Sequence, residues 1–150
     1  MKIEDQVVSL ELSKRLKELG IKQDSYFCWF RLLESDFLYT LSERWQIDDE
    51  ERFDEISAFT VAELMDMLPA CIDMKEYEPF NYFFLQIHKR TSENIKYIAR
   101  YVCDTMPAVE AGNPNFQLQS KFRSHSEKLT DCLAIMLIHL IENNLITMEK

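Results

Sequence analysis

Leu129-Thr130-Asp131-Cys132-Leu133-Ala134-Ile135-Met136-Leu137-Ile138-His139-Leu140-Ile141-Glu142 is the stretch on which the reading of this chain turns. Leu129, Cys132, Leu133, Met136, Leu137, Leu140 and Ile141 recur within it every three or four residues, which is the apolar stripe of a helix. A stripe that wide has to be covered, and a sheet face is the apolar surface large enough to do it. The pattern therefore predicts a helix laid lengthwise on a sheet. Ser124 and Glu127 have the spacing of a capping box and are expected to begin the helix. Asn144 stands where a left-handed residue would stop it, with Leu140 and Leu145 as the contact pair of a Schellman ending.

The sheet is legible upstream. From Asn81 to His88 the chain alternates, with Phe83, Leu85 and Ile87 on one face and Tyr82, Phe84, Gln86 and His88 on the other. Arg90 to Asn94 reads as a polar turn and Ile95 to Val102 as the answering strand, so this segment predicts a hairpin. A loop containing Pro107, Gly112 and Pro114 follows it.

Further toward the amino terminus, four positions agree on a helix start at Thr60. Thr60 and Glu63 can form a capping box, and Phe59 and Leu64 are placed as a hydrophobic staple. Val61, Leu64, Met65 and Leu68 form the apolar face, and Pro69 ends the helix because a residue before proline is biased away from helical geometry. Tyr26 to Phe30 favours a strand, Glu34-Ser35-Asp36 breaks it, and Phe37-Leu38-Tyr39 answers, which predicts a second hairpin. Ser42 to Glu55 offers only Trp45, Ile47 and Phe53 among many charges and reads as an acidic surface insertion, about 42–57, with room for a short helix. Between Ile3 and Leu19, Val8, Leu12, Leu16 and Leu19 recur at helical spacing, and Gly20 provides a Schellman stop that brings Leu16 to Ile21.

The expected architecture is thus α+β, with an antiparallel sheet of about four strands packed against an amino-terminal and a long carboxy-terminal helix, and a short middle helix. The 150 residues fit a single domain, 1–150, and a 47% hydrophobic fraction is ample for one core. No apolar run approaches the roughly 20 residues needed to cross a bilayer, and Met1 to Asp5 does not look like a leader, so the expectation is a cytoplasmic protein without a membrane. Cys28, Cys71, Cys103 and Cys132 match no zinc or redox spacing and read as reduced, mostly buried thiols.

Chemistry is harder to find. Glycine-rich phosphate loops need more than Gly20 and Gly112, and no His-x-x-x-His or Cys-x-x-Cys pair occurs, so no cofactor and no metal are expected. The acidic run Asp48-Asp49-Glu50-Glu51 lacks the alternating ligands of a calcium loop. His88, His125 and His139 lie apart in sequence, and a small hydrolase would need the fold to gather them with carboxylates. A formal net charge of -9 repels phosphate at long range, which disfavours nucleic acid and favours a basic protein partner. One exception is locally positive. Residues 12–31 could be read as a helix-turn-helix, with Lys14, Lys22, Gln23, Ser25 and Arg31 as the DNA-binding side chains. A strand at Phe27 to Phe30 would exclude that alternative.

Taken together, Leu16-Lys17-Glu18-Leu19-Gly20, the block Ala58-Phe59-Thr60-Val61-Ala62-Glu63-Leu64-Met65-Asp66-Met67-Leu68-Pro69 and the ending Lys128 to Asn144 give a recognisable order of motifs. In that order the chain resembles a family of small proteins of bacterial prophages and mobile elements, of the gut Bacteroidetes type, to which no activity is attached. The resemblance implies a helix, strand and helix sandwich and an accessory role, with no site residue to carry over. It departs from the family at Asn144, where glycine is usual, and asparagine tolerates the same geometry. The function expected is therefore a non-enzymatic protein-interaction or accessory module.

Overall fold

The computed structural model describes residues 2–32, 38–46, 52–73, 82–92, 95–102 and 123–147. The loop expected around Pro107, Gly112 and Pro114, the run Asp48 to Glu51, the break at Glu34 to Asp36 and Cys103 lie outside them. Among the described residues, three helices, α1 (Leu10–Glu18), α2 (Val61–Met67) and α3 (Leu129–Glu142), accompany seven strands. These are β1 (Phe27–Leu32), β2 (Tyr39–Glu43), β3 (Arg52–Ser57), β4 (Cys71–Asp73), β5 (Tyr82–Ser92), β6 (Ile95–Val102) and β7 (Arg123–Ser126). The described strands form two antiparallel sheets, ordered β2-β1-β3 and β4-β5-β6-β7. The fold is α+β, with the expected four-stranded sheet and, beside it, a three-stranded one.

α3 organises the core. Cys132, Leu133, Met136, Leu137 and Leu140 are fully buried, and they meet Phe83, Ala99 and Tyr101 on the inner face of the four-stranded sheet. α1 and α2 pack on α3 in turn, bringing Leu16, Phe59, Leu64 and Leu68 into the same cluster, and α1 also touches β3. Ile87 shares the inner face by alternation yet is 38% exposed, because α3 lies over β6 and β7 and not over the far end of β5.

Both helix endings form as the sequence expects. Gly20 has φ +84° and Asn144 φ +56°. Ile21 N–H donates to Leu16 O at 3.1 Å and Leu145 N–H to Leu140 O at 2.9 Å, which is the outer bond of a Schellman motif at each. Thr60 and Glu63 make both bonds of the capping box, and Leu68 is extended before Pro69.

Three expectations about element boundaries are corrected. The amino-terminal helix begins at Leu10 and not near Ile3: Ile3–Asp5 is a 3-10 turn, and Val7 and Val8 are extended and buried. Val7 pairs with Thr60 in an isolated bridge, Val8 N–H donates to Phe59 O, and Thr130 Oγ1 donates to Val7 O, so tertiary partners take backbone groups that a helix would have used. Two consecutive β-branched residues make that exchange inexpensive. The segment 42–57 is not a surface insertion over its second half: Arg52–Ser57 is β3, paired to β1 with Cys28 opposite Ser57, and its Ile56 and Ser57 are buried. A 3-10 turn, Arg44–Gln46, occupies the place of the expected short helix. Ser124 does not cap α3. It lies in β7, where its hydroxyl donates to Cys132 O at 2.8 Å, and the helix starts after Lys128 with no side-chain cap.

Candidate functional site

The helix-turn-helix reading of residues 12–31 fails on geometry, because Phe27–Leu32 is the central strand of the three-stranded sheet. Its five nominated side chains serve the fold. Lys14 Nζ sits 4.5 Å above the Tyr39 ring, and Lys22 pairs with Asp24 at 2.7 Å. Gln23 donates to Ile21 O and accepts from Ser57 N–H. Ser25 is 1% exposed and donates to Ala58 O and Glu63. Arg31 stands in β1 opposite Tyr39 and Asp54.

The other face of the four-stranded sheet is more informative. Alternation sends Phe83, Leu85, Tyr97, Ala99 and Tyr101 to the core, so Phe84, Gln86, His88, Ile98, Arg100 and Val102 point the opposite way. Register then builds rows across the strands: Gln86, Arg100 and Arg123 in one, and His88, Ile98 and His125 in the next. Two histidines that stand 37 positions apart in sequence are brought to one row, about 10 Å apart across two strand spacings. His139 is elsewhere, on α3, where Asn143 Nδ2 donates to its carbonyl at 2.8 Å. Among the described residues, neither histidine on the sheet has a carboxylate in its row.

His88, Lys89, Arg90, Ile98, Arg100 and Arg123 line a cleft of about 290 Å³ on this face. Ile98, 3% exposed, is its apolar floor. Gln86 holds the array in place: its Oε1 accepts from Arg100 Nη2 at 3.3 Å and lies 3.3 Å from His88 Nε2. An amide oxygen orients the guanidinium without cancelling its charge.

Several basic side chains elsewhere among the described residues are ion-paired. Arg15 is paired with Glu18 and Glu142, Lys17 with Asp54, Arg44 with Glu55, and Lys128 with Asp131. Among the described residues, no carboxylate is ion-paired with Arg90, Arg100 or Arg123. The acidic side chain this face does carry is Asp73, opposite Tyr82 at its other end. A sheet face with clustered, uncompensated guanidinium groups raises the local concentration of anions and can grip them bidentately.

A larger groove, about 760 Å³, runs between the amino-terminal segment, α2 and the β7–α3 junction. It carries Asp5 and Glu127 as well as Lys96 and Lys128, and Lys128 Nζ is already bonded to Glu4 O at 2.8 Å. Its mixed and internally engaged charges define no ligand class. Among the described residues no group of histidine, cysteine and carboxylate side chains could hold a metal ion, and Cys71 and Cys132 are free thiols. Burial pushes the Cys132 thiol above its usual value, against the bond from Ser124, which keeps it protonated in the core. No helix among the described residues is long and apolar enough to cross a membrane.

The sequence reading missed this face because it assigned Tyr82, Phe84, Gln86 and His88 to the second side of a hairpin without the residues opposite them. Arg100 and Arg123 are 23 positions apart and separated by a segment without a strand pattern, so only the β6–β7 pairing joins them. Comparison with known proteins adds no relative: no family model, no curated protein and no solved structure matches the chain.

Proposed function

We propose that this protein is a non-enzymatic, cytoplasmic binding module that holds an anionic partner on the face of its four-stranded sheet turned away from α3. The observation that carries the reading is the cleft of Arg90, Arg100, Arg123 and His88 over Ile98, whose arginines have no carboxylate ion-paired with them among the described residues, in a chain whose net charge is -9. Net charge suggested a basic partner. The local charge argues for the opposite sign, because at physiological ionic strength interactions between exposed charges fade beyond about 8 Å, so a ligand in contact with this face responds chiefly to the groups beside it. An accessory role in a mobile element, which the sequence resemblance implies, is compatible with such a module.

The test is binding of labelled inorganic polyphosphate at low salt, read as fluorescence anisotropy. The Arg100→Gln/Arg123→Gln double variant should lose most of the binding. A Lys14→Gln/Lys22→Gln variant, whose lysines are engaged with Tyr39 and Asp24, should retain it. Equal affinities for the two variants would remove the sheet face from consideration, and no binding by the unaltered protein would remove the reading altogether.

A further inference from the structure

Along β5 this sheet face exposes more than charge. Tyr82 is 54% exposed and Phe84 42% exposed, and both stand on the same side of β5 as Gln86 and His88. Large aromatic rings left in water cost the folded chain apolar burial, and here two of them follow one another along a strand. Residues two apart on one face are separated by about 7 Å, so Tyr82, Phe84, Gln86 and His88 form a file about 20 Å long. Arg100 and Arg123 lie across the same file, one and two strands away.

We infer that the anionic partner is a single-stranded nucleic acid, its bases stacked on Tyr82 and Phe84 and its phosphates held by Arg90, Arg100 and Arg123. This rests on the proposed binding face and deepens it. The chemistry selects the ligand in two steps. Guanidinium groups accept any phosphate or carboxylate, but flat exposed rings in a row with them match a polyanion that also offers flat faces. Bases show those faces only when unpaired, so a duplex would present phosphates to the arginines and leave the rings idle. An acidic peptide would likewise satisfy the arginines alone. Asp73, opposite Tyr82, sits at the aromatic end, away from the arginine cleft, so phosphates are expected at one end of the file and bases at the other.

The full chain is titrated with three labelled probes at matched salt: a mixed-sequence single-stranded decanucleotide, the same sequence as duplex, and an oligo-glutamate peptide. The single strand should bind at least tenfold tighter than either alternative. Neutralising three phosphates should give a log–log salt slope of about -2. Tyr82→Ala and Phe84→Ala should each weaken single-strand binding about tenfold or more and leave polyphosphate binding unchanged. Tyr82→Leu, which keeps apolar bulk without a ring, should behave as Tyr82→Ala, and unchanged circular dichroism melts exclude unfolding as the cause. Equal binding of duplex and single strand, or aromatic variants without effect, would overturn the inference while leaving an anion site. Oligo-glutamate bound in preference would name an acidic protein as the partner and also overturn it. Loss of polyphosphate binding as well would overturn both.

Discussion

Glu63 concentrates more of the fold on one side chain than any capping pattern implies. Its carboxylate accepts from Thr60 N–H at 2.6 Å and from the Thr60 hydroxyl at 2.7 Å, closing the capping box of α2. The same carboxylate accepts from the Ser25 hydroxyl and from Tyr26 N–H, both at 3.1 Å, where the chain enters β1. Glu63→Ala therefore removes a cap and a tie between α2 and the three-stranded sheet. The cap contributes about 1 kcal/mol. Hydrogen bonds from the buried Ser25 and from the exposed Tyr26 add about 1 kcal/mol or less each, and the Ser25 hydroxyl keeps a second acceptor at Ala58 O, so the total comes to about 2 to 3 kcal/mol. Thr60→Ala, which touches the cap alone, should cost about 1 kcal/mol. Urea titrations of both variants, with Ser25→Ala and the Ser25→Ala/Glu63→Ala pair completing a double-mutant cycle, read the difference directly. If Glu63→Ala costs no more than Thr60→Ala, or the cycle shows no coupling, the bonds to Ser25 and Tyr26 do not hold the sheet.

Two further outcomes are expected. Leu137 is fully buried at the meeting of α3 with the sheet, so Leu137→Ala should destabilise by about 2 to 5 kcal/mol and lower the urea midpoint by roughly 1 M or more; a midpoint that barely moves would make the stripe a surface for self-association. Stability should also bend at both ends of the pH range through Tyr39 and Asp54. Burial raises the Asp54 carboxyl, but the Tyr39 hydroxyl and Lys17 ammonium bonded to it prevail and hold it below its usual value. The bond to Asp54 and burial push the Tyr39 hydroxyl up. A lowered carboxyl contributes stability above its unfolded value near 4 and loses it as pH falls through the folded one. A raised phenol contributes below its unfolded value near 10 and loses it as pH rises through the folded one. Urea midpoints of Asp54→Asn should accordingly converge on the unaltered protein's in acid, and those of Tyr39→Phe in alkali. Parallel pH curves would refute the linkage.

How much of this was legible in the sequence follows from the range of the forces involved. The α3 stripe, both left-handed stops and the Thr60–Glu63 box are written within four or five residues each, and the structure contains all of them because local hydrogen bonds and a one-sided apolar pattern agree there. Local signals misled where a distant partner offered more. Val7 and Val8 have helical neighbours but are taken up by Thr60, Phe59 and Thr130, and Ser124 and Glu127 have capping spacing but Ser124 is drawn into β7 beside Ala99. Arg52–Ser57 looked too charged for a core element, yet a strand needs only alternate residues inside, and Ile56 with β1 alongside was enough.

The candidate site lies wholly on the long-range side of that divide. Alternation in residues 82–88 already placed Tyr82, Phe84, Gln86 and His88 on one face, and that much the sequence determined by itself. Which cations stand across from them depends on the pairing of β6 with β5 and β7, a register fixed by burying Ala99, Tyr101 and Ser124 beneath α3. Only the tertiary structure could decide it, because the charge of a surface is set by which strands become neighbours, and a shift of one residue in either pairing would turn Arg100 or Arg123 into the core.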